Sequence, residues 1–129
     1  GHPLGVFVSI NPTNTEQLKT AIHLFGGVFL GIGLPRSAQE QKTWDVVQGG
    51  PSSVAYSWGG HLVISGQYDK MGNLYVYTSG ENVKMTSDFT KCYCDEAYVL
   101  LSLDWFKSDH MTPDGFAWRD LKSDLAKLG

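Results

Sequence analysis

Of the four histidines in this chain, His61 stands where chemistry would place one. It follows Trp58-Gly59-Gly60 and opens the apolar run Leu62-Val63-Ile64, so it lies where a loop enters a sheet. Glycines leave room for a substrate or partner beside the ring, and imidazole is the side chain that exchanges protons near neutral pH. His2, His23 and His110 sit in polar surroundings and read as surface residues. Cys92 and Cys94 form Cys-x-Cys, whereas metal sites ask for two to four intervening residues and a second ligand pair. They read as buried or half-buried structural thiols, because no cationic or helix-N-terminal setting is there to favour a thiolate. Asp88, Asp95 and Glu96 lie close by as ordinary turn carboxylates. Gly31-x-Gly33 lacks the third glycine and the helix of a dinucleotide loop. No metal site and no cofactor is expected from these patterns.

The elements that must hold His61 follow from glycine punctuation and apolar periodicity. Fifteen glycines in 129 residues are well above the usual share of about 7%, and they fall between short apolar runs, as turns between strands do. Strands are expected over residues 6–10, 28–32, 61–65, 74–78, 83–86 and 97–101. The run 28–32 is continuously apolar and reads as buried on both faces. Thr13 and Glu16 have the spacing of a capping box, and Leu18, Ala21, Ile22 and Phe25 continue as the apolar face of a helix that Gly26 ends. Residues 36–42 suit a short polar helix and residues 48–57 a loop. Asp69-Lys70-Met71-Gly72-Asn73 joins two strands into a hairpin, and Thr86 or Ser87 caps one helical turn through Phe89 and Tyr93. Pro113-Asp114-Gly115 opens a last helix with Phe116, Leu121, Leu125 and Leu128 as its apolar stripe.

The expectation is therefore a single domain over residues 1–129 of α+β class. It is a twisted, mainly antiparallel sheet or partial barrel, with one helix packed on it and a C-terminal helix closing one end. The expected core is Val8, Leu18, Ile22, Phe25, Phe29, Ile32, Val63, Ile64, Val76, Tyr98, Leu100 and Leu125. Apolar residues make up 42% of the chain, enough to close such a core. Ten basic and thirteen acidic residues without a basic cluster argue against a nucleic-acid surface. No apolar run reaches the roughly 18 residues of a membrane span, and the first residues do not have the regions of a signal peptide. Two cysteines make no disulfide framework. Composition leaves the compartment open.

The order of these pieces is similar to the second, β-barrel half of papain-like cysteine peptidases. A helix, Thr15-Glu16-Gln17-Leu18-Lys19-Thr20-Ala21-Ile22, runs through Gly26-Gly27 into Val28-Phe29-Leu30-Gly31-Ile32. Gly60-His61-Leu62-Val63-Ile64-Ser65 and Leu74-Tyr75-Val76-Tyr77-Thr78-Ser79-Gly80 follow. In the family a Leu-Lys-x-Ala-Ile helix precedes a Gly-Pro-Val-x-Val strand, a His-Ala-Val strand bears the catalytic histidine, and a returning strand bears Asn-Ser-Trp-Gly. Trp58-Gly59-Gly60-His61, Asp95-Glu96-Ala97-Tyr98 and Pro113-Asp114-Gly115-Phe116 resemble, more narrowly, papain-fold proteins from bacteria and phages. The broad resemblance covers about residues 6–103.

The resemblance implies that His61 is the catalytic base, that Trp58, Gly59 and Gly60 border the binding cleft, and, with the family's Asn-Ser-Trp-Gly falling on Tyr77-Thr78-Ser79-Gly80, that Thr78 is the nearest polar residue to orient the ring. It also marks two departures. No cysteine lies among the sixty residues before His61, so the nucleophile and its oxyanion donors would come from another chain or a removed segment. The family's asparagine and shielding tryptophan are gone, and Thr78 also reads as a plain strand residue. Two functions follow: the histidine-bearing half of a peptidase or acyl-transfer fold, inactive alone, or a non-catalytic binding or structural module derived from it. The partner in the first is a cysteine-bearing complementary segment. Self-association through an apolar groove facing His61 is a further expectation.

Overall fold

The computed structural model describes residues 5–102, with side chains described from Phe7 to Leu101. The expected helix over residues 116–128, with Leu125, lies outside the described residues, as do His2 and His110. Seven strands form one sheet, in order: β1 (Gly5–Ile10), β7 (Cys94–Ser102), β2 (Val28–Leu34), β4 (Gly59–Tyr68), β5 (Leu74–Thr78), β6 (Glu81–Met85) and β3 (Thr43–Trp44). Every neighbouring pair is antiparallel except β3 with β6. Among the described residues two α-helices, α1 (Thr15–Phe25) and α2 (Ser87–Tyr93), join the sheet in an α+β architecture.

The helix α1 starts one residue later than the capping-box spacing implies. Asn14, not Thr13, is the N-cap, and its side chain accepts from the Gln17 N–H at 3.1 Å. Thr13 is instead held in an Asx turn, where its N–H and its hydroxyl both donate to Asn11 Oδ1 at 3.0 and 2.8 Å. Gly26 ends the helix in the left-handed conformation, as expected. Residues 36–42 form no α-helix; Arg36–Glu40 is a 3₁₀ turn following Pro35. Thr86 caps α2, accepting from the Phe89 N–H at 3.1 Å.

The core lies on one face of the sheet. Leu30, Ile32, Leu34, Val63, Val76 and Val99 point inward there, under Leu18, Ala21 and Ile22 of α1 and Phe89 and Tyr93 of α2, all buried. Val8 and Phe25 pack at its margin. The other face departs from the expected core. Ile64 and Leu100 are exposed at 41% and 46%, and Phe29 and Tyr98 are half-buried beside them. Strand residues alternate between faces, so a continuously apolar run does not say which half faces the helices. Here both halves are apolar and helices cover only one among the described residues.

A polar network ties the β4–β5 hairpin to both helices. Asp69 Oδ1 accepts from the N–H groups of Met71 and Asn73, and Oδ2 from the Asn73 amide. Asn73 Oδ1 in turn accepts from the Ser87 N–H at the start of α2, and the Ser87 hydroxyl meets that of Thr15 at the start of α1, 3.3 Å away. These bonds hold the Asp69 carboxyl below the usual carboxylate range, the Asn73 side chain contributing most and the Lys84 charge least.

Candidate functional site

His61 is the third residue of β4, and the register places it opposite Ile32 of β2. Paired residues share a face, so the imidazole stands on the helix-covered side with Val63 and Ser65, at the strand's open end. It is half-buried. Its ring lies 5.0 Å from that of Trp58, tilted by 51°. Trp58 meets Trp44 edge-on at 6.3 Å, Trp44 lies 5.8 Å from Phe89, and Phe89 lies 4.8 Å from Tyr93. A row of aromatic rings therefore runs from the α2 core to the imidazole and limits how the ring can tilt. Among the described residues no hydrogen bond reaches either ring nitrogen.

Thr78 ends β5, the strand beside β4. Ile64 faces Tyr77 across the pair, so one step further Val63 faces Thr78. His61 and Thr78 are therefore diagonal neighbours on the same face, a relation that sets Cα atoms about 7–8 Å apart. No hydrogen bond joins them among the described residues. Ser79 and Gly80 both have positive φ, 50° and 77°, and form the two-residue turn into β6, with Thr78 opposite Glu81.

The glycines before His61 do different work. Gly59 has φ +147°, a conformation that side chains rarely adopt, and it lies against the imidazole, where a Cβ would make an ordinary contact with His61 Nε2 at 3.8 Å. Gly60 faces the opposite side, paired with Gly33, and the ring of Tyr56 lies over both. A Cβ on Gly33 would sit 2.4 Å from that ring. Tyr56 is fixed by its own N–H to the Gly33 carbonyl, 3.1 Å, and by its hydroxyl donating to Asp95. The room beside Gly60 is thus filled by the chain itself, and only Trp58 and Gly59 of the expected border lie against His61. Tyr56, Asp95 and Trp44 were not legible as site residues, since each acts through contacts with positions distant in sequence.

The two thiols differ from each other. Cys94 is buried and pushed up to about 12, burial being the main cause and the Glu96 charge adding to it, against a partly offsetting backbone hydrogen bond at Glu96. Its Sγ also lies 3.2 Å from the Glu96 carbonyl oxygen, to which it donates. Cys92 is exposed, which corrects the reading of both cysteines as buried or half-buried. Among the described residues no group of three or more His, Cys, Asp or Glu could hold a metal ion, and no helix is long and apolar enough to cross a membrane. Comparisons with protein-family models, curated proteins and solved structures find no match to this chain.

Proposed function

We propose that this chain is the histidine-bearing half of a papain-like cysteine peptidase or acyl-transfer fold and works only with a cysteine-bearing segment. The observation that carries the reading is His61 itself: half-buried at the open end of β4, braced by Trp58, with no hydrogen bond to either ring nitrogen among the described residues and Thr78 diagonal on the same face. In such a site the imidazole takes the proton of the incoming thiol, and the thiolate attacks the substrate carbonyl to form an acyl-thioester. The imidazolium then protonates the leaving group, and water, deprotonated by the same ring, releases the acyl group. Thr78 would steady the ring by accepting from it, directly or through one water. Trp58 would supply, from in front of the histidine, the aromatic shielding that the family takes from its tryptophan.

Reconstitution tests this reading. The 129-residue chain mixed with a cysteine-bearing helical segment should gain thiol-dependent hydrolysis of a peptide or ester, and His61→Ala should remove at least about a hundredfold of it, the low end for a lost general base. Activity indifferent to His61→Ala would reject the assignment. A non-catalytic binding module is the second reading, favoured by one observation: the large exposed apolar surface lies on the face away from His61, not in a groove facing it.

A further inference from the structure

Tyr56 stands where a glycine would be free of strain. It is the third residue of a turn closed by the Ser57 N–H on the Val54 carbonyl at 3.1 Å, and its φ is +67°, which side chains rarely adopt. Burial does not offset this strain, since Tyr56 is 55% exposed. Its ring instead crosses the outer face of the sheet from Gly60 on β4 over Gly33 on β2, and its hydroxyl donates to Asp95 on β7. Asp95 is itself irregular. The β2–β7 register steps from Gly31 opposite Glu96 to Ile32 opposite Cys94, which leaves Asp95 as the extra residue of a β-bulge. Strict alternation from Glu96 would send the next side chain to the helix-covered face, and the bulge frees Asp95 to meet Tyr56 on the outer one. A strained turn and a bulge, 39 residues apart, thus serve one hydrogen bond.

We propose that Tyr56 is a positioning residue for His61, acting through Trp58; the inference rests on the reading of His61 as the working group. Three consecutive residues fasten the loop to the end of β2. The Tyr56 N–H donates to the Gly33 carbonyl at 3.1 Å, the Ser57 hydroxyl accepts from the Arg36 N–H at 2.9 Å, and the Trp58 N–H donates to the Leu34 carbonyl at 2.9 Å. Tyr56 locks this run on the outer face. Trp58, two residues on, carries it to the inner face, where its ring lies 5.0 Å from the imidazole. Trp58 is 38% exposed and meets Trp44 edge-on, so the placement of its backbone decides where its ring stands. The Tyr56–Asp95 latch sets that placement and with it the tilt of the His61 ring. Strained residues persist where their surroundings over-determine them, and they cluster at functional sites.

The test is NMR of the His61 ring protons in the 129-residue chain, whose shifts report the ring current of Trp58. They are followed through the titration, so that neutral and protonated rings are compared like with like. Trp58→Ala marks where the shifts fall without that ring. Tyr56→Ala should move them most of the way to this mark, and Tyr56→Phe and Asp95→Ala should each move them part of the way in the same direction. The double variant Tyr56→Phe with Asp95→Ala should go no further than either alone, because both remove one bond. The methyls of Leu30 and Val76 should keep their shifts throughout. If Tyr56→Ala fails to fold, the two milder variants and their combination decide. His61 shifts indifferent to Tyr56 and Asp95, or core methyls that move together with them, would make Tyr56 a structural cap and overturn the proposal. These shifts involve no thiol, so they hold or fail separately from the hydrolysis that tests the peptidase reading.

Discussion

Cys92 and Cys94 are separated by one residue and by a large difference in chemistry. Burial keeps the Cys94 thiol neutral to about pH 12, and its Sγ already donates to a carbonyl, whereas Cys92 lies in solvent. In the native chain an alkylating reagent should modify Cys92 readily and Cys94 only after unfolding, which peptide mass mapping over time would show. Equal rates at both sites would contradict the burial of Cys94. The sign for stability follows from the raised value. A buried thiol held neutral contributes fully below its unfolded pKa, about 8.5, and the contribution is lost as pH rises through about 12, so Cys94→Ala should flatten the alkaline side of the stability profile. At this scale the sequence was partly legible. His61 stood out because its neighbours are glycines and apolar residues. Trp44, Tyr56 and Asp95 did not, because their roles depend on contacts made only in the folded sheet.

The β4–β5 hairpin and the loop before β4 are the elements that hold His61 and Thr78 in relation. Asp69 anchors the hairpin as an ionised acceptor, with its pKa lowered. Its contribution is present above the unfolded carboxylate value, about 3.9, and disappears as pH falls through the lower folded value. Asp69→Asn, which keeps one acceptor oxygen but not the charge, should remove part of the stability at pH 7 and little of it once the wild-type carboxyl is protonated. Chemical denaturation at both pH values measures the difference, and an equal loss at both would show that the charge does not matter. Gly33→Ala should displace the Tyr56 ring and free Asp95, seen as a changed Tyr56 ring environment by NMR with the β2–β4 register intact. Element positions were largely readable from glycine spacing and apolar runs. Helix starts and the residues 36–42 were not, because the choice between Thr13 and Asn14, or between α and 3₁₀, turns on local side-chain competition for the same amides.

At the scale of the molecule, one sheet separates two apolar layers, and only the inner one is filled by α1 and α2. Leu30 is completely buried in that layer, and Leu30→Ala should cost about 2–5 kcal/mol in denaturant titration, whereas Met71→Ala at the exposed hairpin tip should stay within about 0.5 kcal/mol. A loss below about 1 kcal/mol at Leu30 would contradict its central place in the core. The class of fold was legible in the alternation of short apolar runs with glycine turns, while the division of Ile64 and Leu100 from Val63 and Val99 required the register. The central claim is that His61 is a base awaiting a thiol this chain does not itself present. Neither Cys94, shielded by burial, nor Cys92, exposed on α2, carries a hydrogen bond to His61 among the described residues. Labelling with a cysteine-directed epoxide tests this most directly, on the 129-residue chain and on its His61→Ala variant, each alone and mixed with a cysteine-bearing helical segment. The account predicts rapid labelling only of the added segment's cysteine, and only when His61 is present. Rapid, stoichiometric, His61-dependent labelling of Cys92 or Cys94 in the chain alone would contradict it.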